Sequence, residues 1–130
     1  MSDAGLALQE ALYAALGGFA GSLVTGVYDG PPAGAVPPYL TIGPDLVTDI
    51  STKTERRRQH LYAVTAWAAG DAVSVLKPVL AVVETAVLGI AALEGHRLVT
   101  NDMLRSRTAA DPARGLVSGT IEFRARTETL

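Results

Sequence analysis

The stretch His60 to Trp67 sets the strongest limit on the fold of this chain. Leu61, Ala63, Thr65 and Trp67 alternate with Tyr62, Val64 and Ala66, so both faces of an extended segment are largely apolar. A strand of that kind avoids water only with neighbours on both edges and cover on at least one face, which predicts a central strand. Three residues later a second apolar segment begins. From Gly70-Asp71, Leu76, Leu80, Val83 and Val87 recur as one helical stripe, and Val75, Val79, Val82 and Ala86 as the next. The width of that apolar face predicts a deeply buried helix, with Pro78 either near its first turn or at a kink. Strand and helix together define a layered α+β domain. With 48% hydrophobic residues and only 5% aromatic ones, its core is aliphatic, built from Ala, Val and Leu. At 130 residues the chain fits one domain, residues 1–130, with one core.

The remaining segments fit the same layers. Ser2 or Asp3 is placed to cap a first helix of about four turns, in which Leu8, Leu12, Ala15 and Phe19 share a face beside Leu16, and Gly17-Gly18 stop it. Residues 29–38, with Gly30, Pro31, Pro32, Gly34, Pro37 and Pro38, predict a loop or an extended edge crossing. Tyr39 to Ile42 predict a short strand ended by Gly43-Pro44, followed by a polar segment from Asp45 to Thr54. After Gly95, strands from His96 to about Arg107 and from Gly115 to Arg126 flank a turn at Asp111 to Gly115 and predict a β-hairpin. In its second strand Ile121, Phe123 and Ala125 alternate with Glu122, Arg124 and Arg126. One face packs on helices and the other meets water or a partner. The expected fold is α+β, a mixed or antiparallel sheet with two main helices packed on one face.

Composition also removes whole classes of chemistry. The chain has no Cys, so disulfides, thiolate zinc sites and a cysteine nucleophile are excluded. The net charge of −2 gives no general attraction to nucleic acid or to an anionic membrane. The N-terminus lacks the basic start of a signal peptide. The longest apolar stretch, Val79 to Leu93, is broken by Glu84 and falls short of the roughly 18 apolar residues of a membrane span. His60 and His96 lack partners at metal-site spacing, and Ser106 and Ser118 have no nucleophile motif around them. Asp45, Asp49 and Glu55 cluster in sequence, where a solvated loop explains them as well as paired acid–base work does. No motif asks for a cofactor.

The arginines are the features open to a functional reading. Arg56, Arg57 and Arg58 form the only dense basic run, which reads as an exposed hairpin, as an arm that orders against a neighbouring subunit's carboxylates, or as a contact to DNA passing through a ring. Arg105, Arg107, Arg124 and Arg126 on the final hairpin read either as cross-strand partners of Glu122 or Glu128 or as an intersubunit ladder.

In order along the chain stand a helix (Leu8 to Leu16), Val27-Tyr28-Asp29, a Pro-Tyr-Leu strand ending in Gly (Pro38 to Gly43), a Trp-bearing strand (Leu61 to Trp67), an apolar helix (Val73 to Leu88), and a closing Phe-Arg-Ala-Arg strand (Thr120 to Thr127). This ordered set resembles the phage tail terminator, or tail completion, family, including versions found in prophages and gene transfer agents. It departs from the family pattern at Arg56 to Gln59, where members often carry Gly, and at Val117 to Gly119, where they often carry His. The resemblance implies a structural virion protein, not an enzyme, that caps the tail tube as a homohexameric ring, ends tail polymerisation and forms the head–tail joining surface. Its partners would be further copies of itself, the tail tube protein and a head-side connector or stopper protein, with DNA only passing through the lumen and no membrane. It would sit in the cytoplasm during assembly and then at the head-proximal end of the tail. Arg56, Arg57, Arg58, Arg105, Arg107, Glu122, Arg124 and Arg126 would be its candidate interface to subunits or tail tube. Competing readings are a small ligand-binding or catalytic ferredoxin-like α+β dimer, and another head–tail connector or tail-tube subunit.

Overall fold

A computed structural model describes residues 3–18, 23–30 and 34–130. Helix α1 (Ala4–Gly17) is followed by strands β1 (Val27–Tyr28), β2 (Tyr39–Asp49) and β3 (Arg57–Ala69), helix α2 (Lys77–Leu88), and strands β4 (His96–Asp111) and β5 (Leu116–Thr129). The strands form one sheet in the order β1-β2-β3-β5-β4. β1 lies parallel to β2 and every other neighbour is antiparallel, so the sheet is mixed and the fold is α+β.

The strand with two apolar faces is the middle one. β3 pairs with β5 without interruption from Arg57↔Glu128 to Ala69↔Leu116, and with β2 on its other edge. Tyr62, Val64 and Ala66 point to the helix-covered face together with Ile121, Phe123 and Ala125 of β5, all at most 4% exposed. Tyr62 stacks on Phe123 at 5.2 Å between ring centres. Burying a side chain the size of Phe123 contributes about 1.5–3 kcal/mol, and this pair occupies the centre of the aliphatic core.

Both helices supply the residues expected of them. Asp3 caps α1, its carboxylate accepting from the Leu6 N–H at 2.8 Å, and Leu8, Leu12 and Leu16 are buried. The alternative cap Ser2 and the stripe residue Phe19 lie outside the described residues. Along α2 and the turn before it the Leu76, Leu80, Val83, Val87 stripe is buried with Val79, whereas Val75 is exposed, so the buried face is narrower than the sequence suggests. A short 3-10 turn, Val73–Leu76, precedes α2, and Pro78 falls in the first helical turn, where a missing donor leaves no bond broken.

One expectation is overturned. Gly43-Pro44 does not end β2, which continues through Asp45 to Asp49 and turns the first half of the expected polar segment into strand. The ladder to β3 breaks between Ile42 and Asp45 and then resumes, which marks a bulge. Gly43 supplies the φ of +114° that the bulge needs. Among the described residues Pro44 has no strand on its outer side, because β1 reaches only Leu40 and Thr41, so its absent N–H is tolerated. The hairpin strands also run past their expected ends, to Asp111 in β4 and Thr129 in β5.

Candidate subunit interface

The face of the sheet away from the helices carries the polar half of each strand. Across it run cross-strand rows set by the register: Leu46, Leu61, Arg124 and Asp102 form one, and Thr41, Thr65, Thr120 and Arg107 another. Thr65 and Thr120 share a hydrogen bond of 3.0 Å, and the Trp67 indole N–H donates to the Thr41 hydroxyl at 3.1 Å. Tyr39 stacks on Trp67 and Arg114 lies 5.6 Å over the same indole, so this end of the face is aromatic. Between β2 and β4 the surface sinks into an open trough of about 350 Å³, lined by Leu46, Leu61 and Leu104 and bordered by Arg105, Arg107 and Glu122.

The candidate arginines divide into paired and unpaired sets. Arg57 meets Glu128 at 3.0 Å and Glu55 at 3.7 Å, and Arg58 donates to Asp49 at 2.8 Å. Those contacts fasten the base of the β2–β3 hairpin; the exposed Arg56 has no ion pair among the described residues, and its carbonyl accepts from the Thr129 N–H at 2.9 Å. Two hydrogen bonds from Ser51 hold the Asp49 carboxyl below its ordinary pKa, assisted by the Arg58 charge. Arg105 pairs with Glu122 across β4 and β5, and Arg97 pairs with Glu128. Arg126 donates to the Gln59 side chain at 3.3 Å. Arg107 and Arg124 have no ion pair among the described residues, although Asp102 stands opposite Arg124 in the register. The eight candidates therefore share one side or one end of the sheet, but most already have an internal partner.

Two features of this surface escaped the sequence. The first is Arg97, the second guanidinium on Glu128. Counting back from the turn does not place it there, because bulges at Leu98/Thr100 and Met103/Arg105 shift the register. The second is a notch of about 440 Å³ at the outer edge of β2, lined by Asp29, Thr41, Gly43, Pro44, Asp45 and Trp67. Parallel pairing of β1 with β2 brings Asp29 beside it, and neither Asp29 nor Asp45 has an ion pair among the described residues. The cluster Asp45, Asp49 and Glu55 is dispersed by the hairpin. Asp49 and Glu55 face arginines, while Asp45 remains at the edge.

Behind the face are two buried polar anchors. The Tyr62 hydroxyl donates to Asn101, whose amide donates to the Val87 carbonyl at 3.0 Å and so ties β4 to the end of α2. Burial pushes the Tyr62 phenol well above its ordinary pKa. His60 is fully buried, with its Nε2 2.9 Å from the Thr127 hydroxyl. Burial drives its pKa down, with opposing pulls from Asp45 and Asp3 and further depression by His96 and Arg58. Among the described residues no group of three or more His, Asp or Glu side chains is placed to hold a metal ion, and no helix is long and apolar enough to cross a membrane. What the arrangement offers is two open strand edges and a charged, partly apolar sheet face.

Known proteins give the same direction. No curated protein sequence matches the chain. Among solved structures, a chain in the virion of a native gene transfer agent particle is similar over 98% of this chain and 99% of its own, with 30% identity and a TM-score of 0.83. The bacteriophage SPP1 gp17 protein has the same fold, with 23% identity over 98% of this chain and 91% of its own and a TM-score of 0.63. Residues 10–128 match the family described as tail completion protein gp17, a structural family rather than a class of enzymes. The chain belongs to the gp17 family of tail completion proteins.

Proposed function

We propose that this protein terminates a tail. Assembled as a homohexameric ring on the end of the tail tube, it stops further tube subunits from adding and presents the surface that joins a head-side connector or stopper protein. The observation that carries this reading is the end-to-end similarity to a chain of a gene transfer agent virion, 98% of one chain against 99% of the other, within a tail completion family. The sheet supports it physically. A closed cyclic ring needs two different patches on each copy, and this fold has two different open edges. Its action is steric, with no bond made or broken. DNA passes through the lumen without being read, consistent with a net charge of −2. Assembly takes place in the cytoplasm and the finished ring stays at the head-proximal end of the tail.

The test is deletion of the gene in the producing strain, followed by electron microscopy of the particles. Overlong, irregular tails lying apart from filled heads are the expected result. Particles with normal tails joined to heads and full transfer of DNA would overturn the proposal.

A further inference from the structure

We infer that neighbouring copies in the ring are joined by continuing the sheet: the outer edge of β4 in one copy pairs antiparallel with the free half of β2, Asp45–Asp49, in the next. The inference rests on the ring reading above and adds the surface and register of its seam.

Both edges are open and apolar enough to be covered. β4 is a terminal strand of 16 residues, and among the described residues β2 beyond Thr41 has no strand on its outer side. Unpaired strand edges recruit other strands unless something blocks them. Exposed on the two edges are Leu46 and Val47, at 60% and 40%, and Val99, Met103 and Leu104, at 40%, 38% and 42%.

Strand direction agrees with a rotational seam. β2 and β5 run one way and β3 and β4 the other. Copies related by rotation about a ring axis keep their strand directions relative to that axis, so β4 of one copy meets β2 of the next antiparallel. The alternation of the parent sheet continues across the seam. β1 occupies the outer side of Leu40 and Thr41, which confines the incoming strand to the free half and limits its register.

Charge supplies the third argument. The row Thr41, Thr65, Thr120, Arg107 runs across the sheet, so in the register that pairs Asp102 with Leu46 the ladder ends short of Arg107, whose side chain is left beside the end of β1 at Thr41 of the next copy. Thr41 lines the notch that holds Asp29 and Asp45. Asp45 stands opposite Tyr62 on the helix side, so the Arg107 guanidinium reaches it and Asp29 around the edge of β2 rather than along the row; none of the three has an ion pair among the described residues of its own chain, and a guanidinium fork suits that task. Pairing of β4 with a second β4 is less favourable, since it brings the arginine-bearing edges of two copies together and closes a two-fold dimer instead of a ring.

The absence of native cysteine makes the seam testable by disulfide trapping in purified particles. Leu46 and Asp102 share a row, so Leu46→Cys is combined in one chain with Asp102→Cys, and separately with Thr100→Cys or Leu104→Cys to catch a shift of two residues. The expected result is a ladder of cross-linked species on non-reducing gels from one of these double variants, with none from the single variants. Protein present in the particles without any ladder, or cross-linking of Asp102→Cys alone, overturns the seam and leaves the virion role standing. Absence of the unmodified protein from particles overturns the ring reading and the seam with it. Charge reversal gives an independent readout. Arg107→Asp and Asp45→Arg each lower the yield of joined particles about tenfold or more, and the combined variant regains most of that loss. If the combined variant is as poor as the singles although all three melt like the parent, the proposed pairing is wrong.

Discussion

His60 shows how one buried side chain links the core to pH. It sits on β3 with no exposed surface, bonded to Thr127, and its Nδ1 has no partner among the described residues. Burial lowers its pKa below the ordinary 6.5, so the native state holds a neutral ring while the unfolded chain binds a proton. The unfolded state then carries more protons below about pH 6.5, and stability must fall as the pH drops from there toward the lowered native value. Asp49 acts in the same direction but only near and below its ordinary 3.8, so the window between about pH 6.5 and 5 belongs to the histidine. The melting temperature of the free protein should fall over that window, and His60→Gln, which retains a donor toward Thr127, should flatten the dependence. An equal slope in parent and variant would assign the effect elsewhere.

At the scale of elements, packing of α2 on the sheet depends on a missing side chain. A Cβ built on Gly119 of β5 would lie 2.7 Å and 3.0 Å from the two methyl carbons of Leu80. Leu80 is 7% exposed and belongs to the core, so its methyl groups can turn away only by pressing on other core side chains. Gly119→Ala gains up to about 1 kcal/mol from reduced backbone entropy, but overpacking of this kind costs about 1–3 kcal/mol, and the steric cost prevails. Urea denaturation should show Gly119→Ala destabilised. Leu80→Ala alone should cost about 2–5 kcal/mol, and the double variant less than the sum of the two singles. Strict additivity would mean that the residues do not press on each other. This contact also marks how far the sequence can be read. The alternation of Ile121, Phe123 and Ala125 with Glu122, Arg124 and Arg126 reveals the buried face of β5, and the stripe from Leu76 to Val87 reveals that of α2, because both periods are local. The cross-strand pair Arg105–Glu122 is legible for the same reason. Gly43-Pro44 misleads because a bulge uses the residues of a strand ending. The notch is hidden because Asp29 reaches it through parallel pairing of β1 with a strand more than ten residues later, which no local pattern encodes.

For the whole molecule, the division between a closed centre and open edges decides where assembly should register. β3 and β5 have strand neighbours on both sides, so their amides are bonded within the monomer, while among the described residues β4 has β5 alone and the free half of β2 has β3 alone. An edge strand leaves about half of its N–H groups facing water, and those exchange readily even in a stable fold. If copies join by continuing the sheet, incorporation into a particle converts these outward amides into ladder bonds and changes little in the centre. Hydrogen–deuterium exchange read by mass spectrometry should therefore show protection gained in peptides covering Asp45–Asp49 and Arg97–Arg107 on passing from free protein to particle. The Gln59–Trp67 region should stay equally slow in both. The direction of the difference discriminates between mechanisms. A ring held mainly through the helices would protect the exposed sides of α1 and α2 while β4 continued to exchange, and a ring held by the turn at Arg56 would protect residues 50–57 alone. Gain at both sheet edges together is required, because in a cyclic ring every copy presents one edge and receives the other.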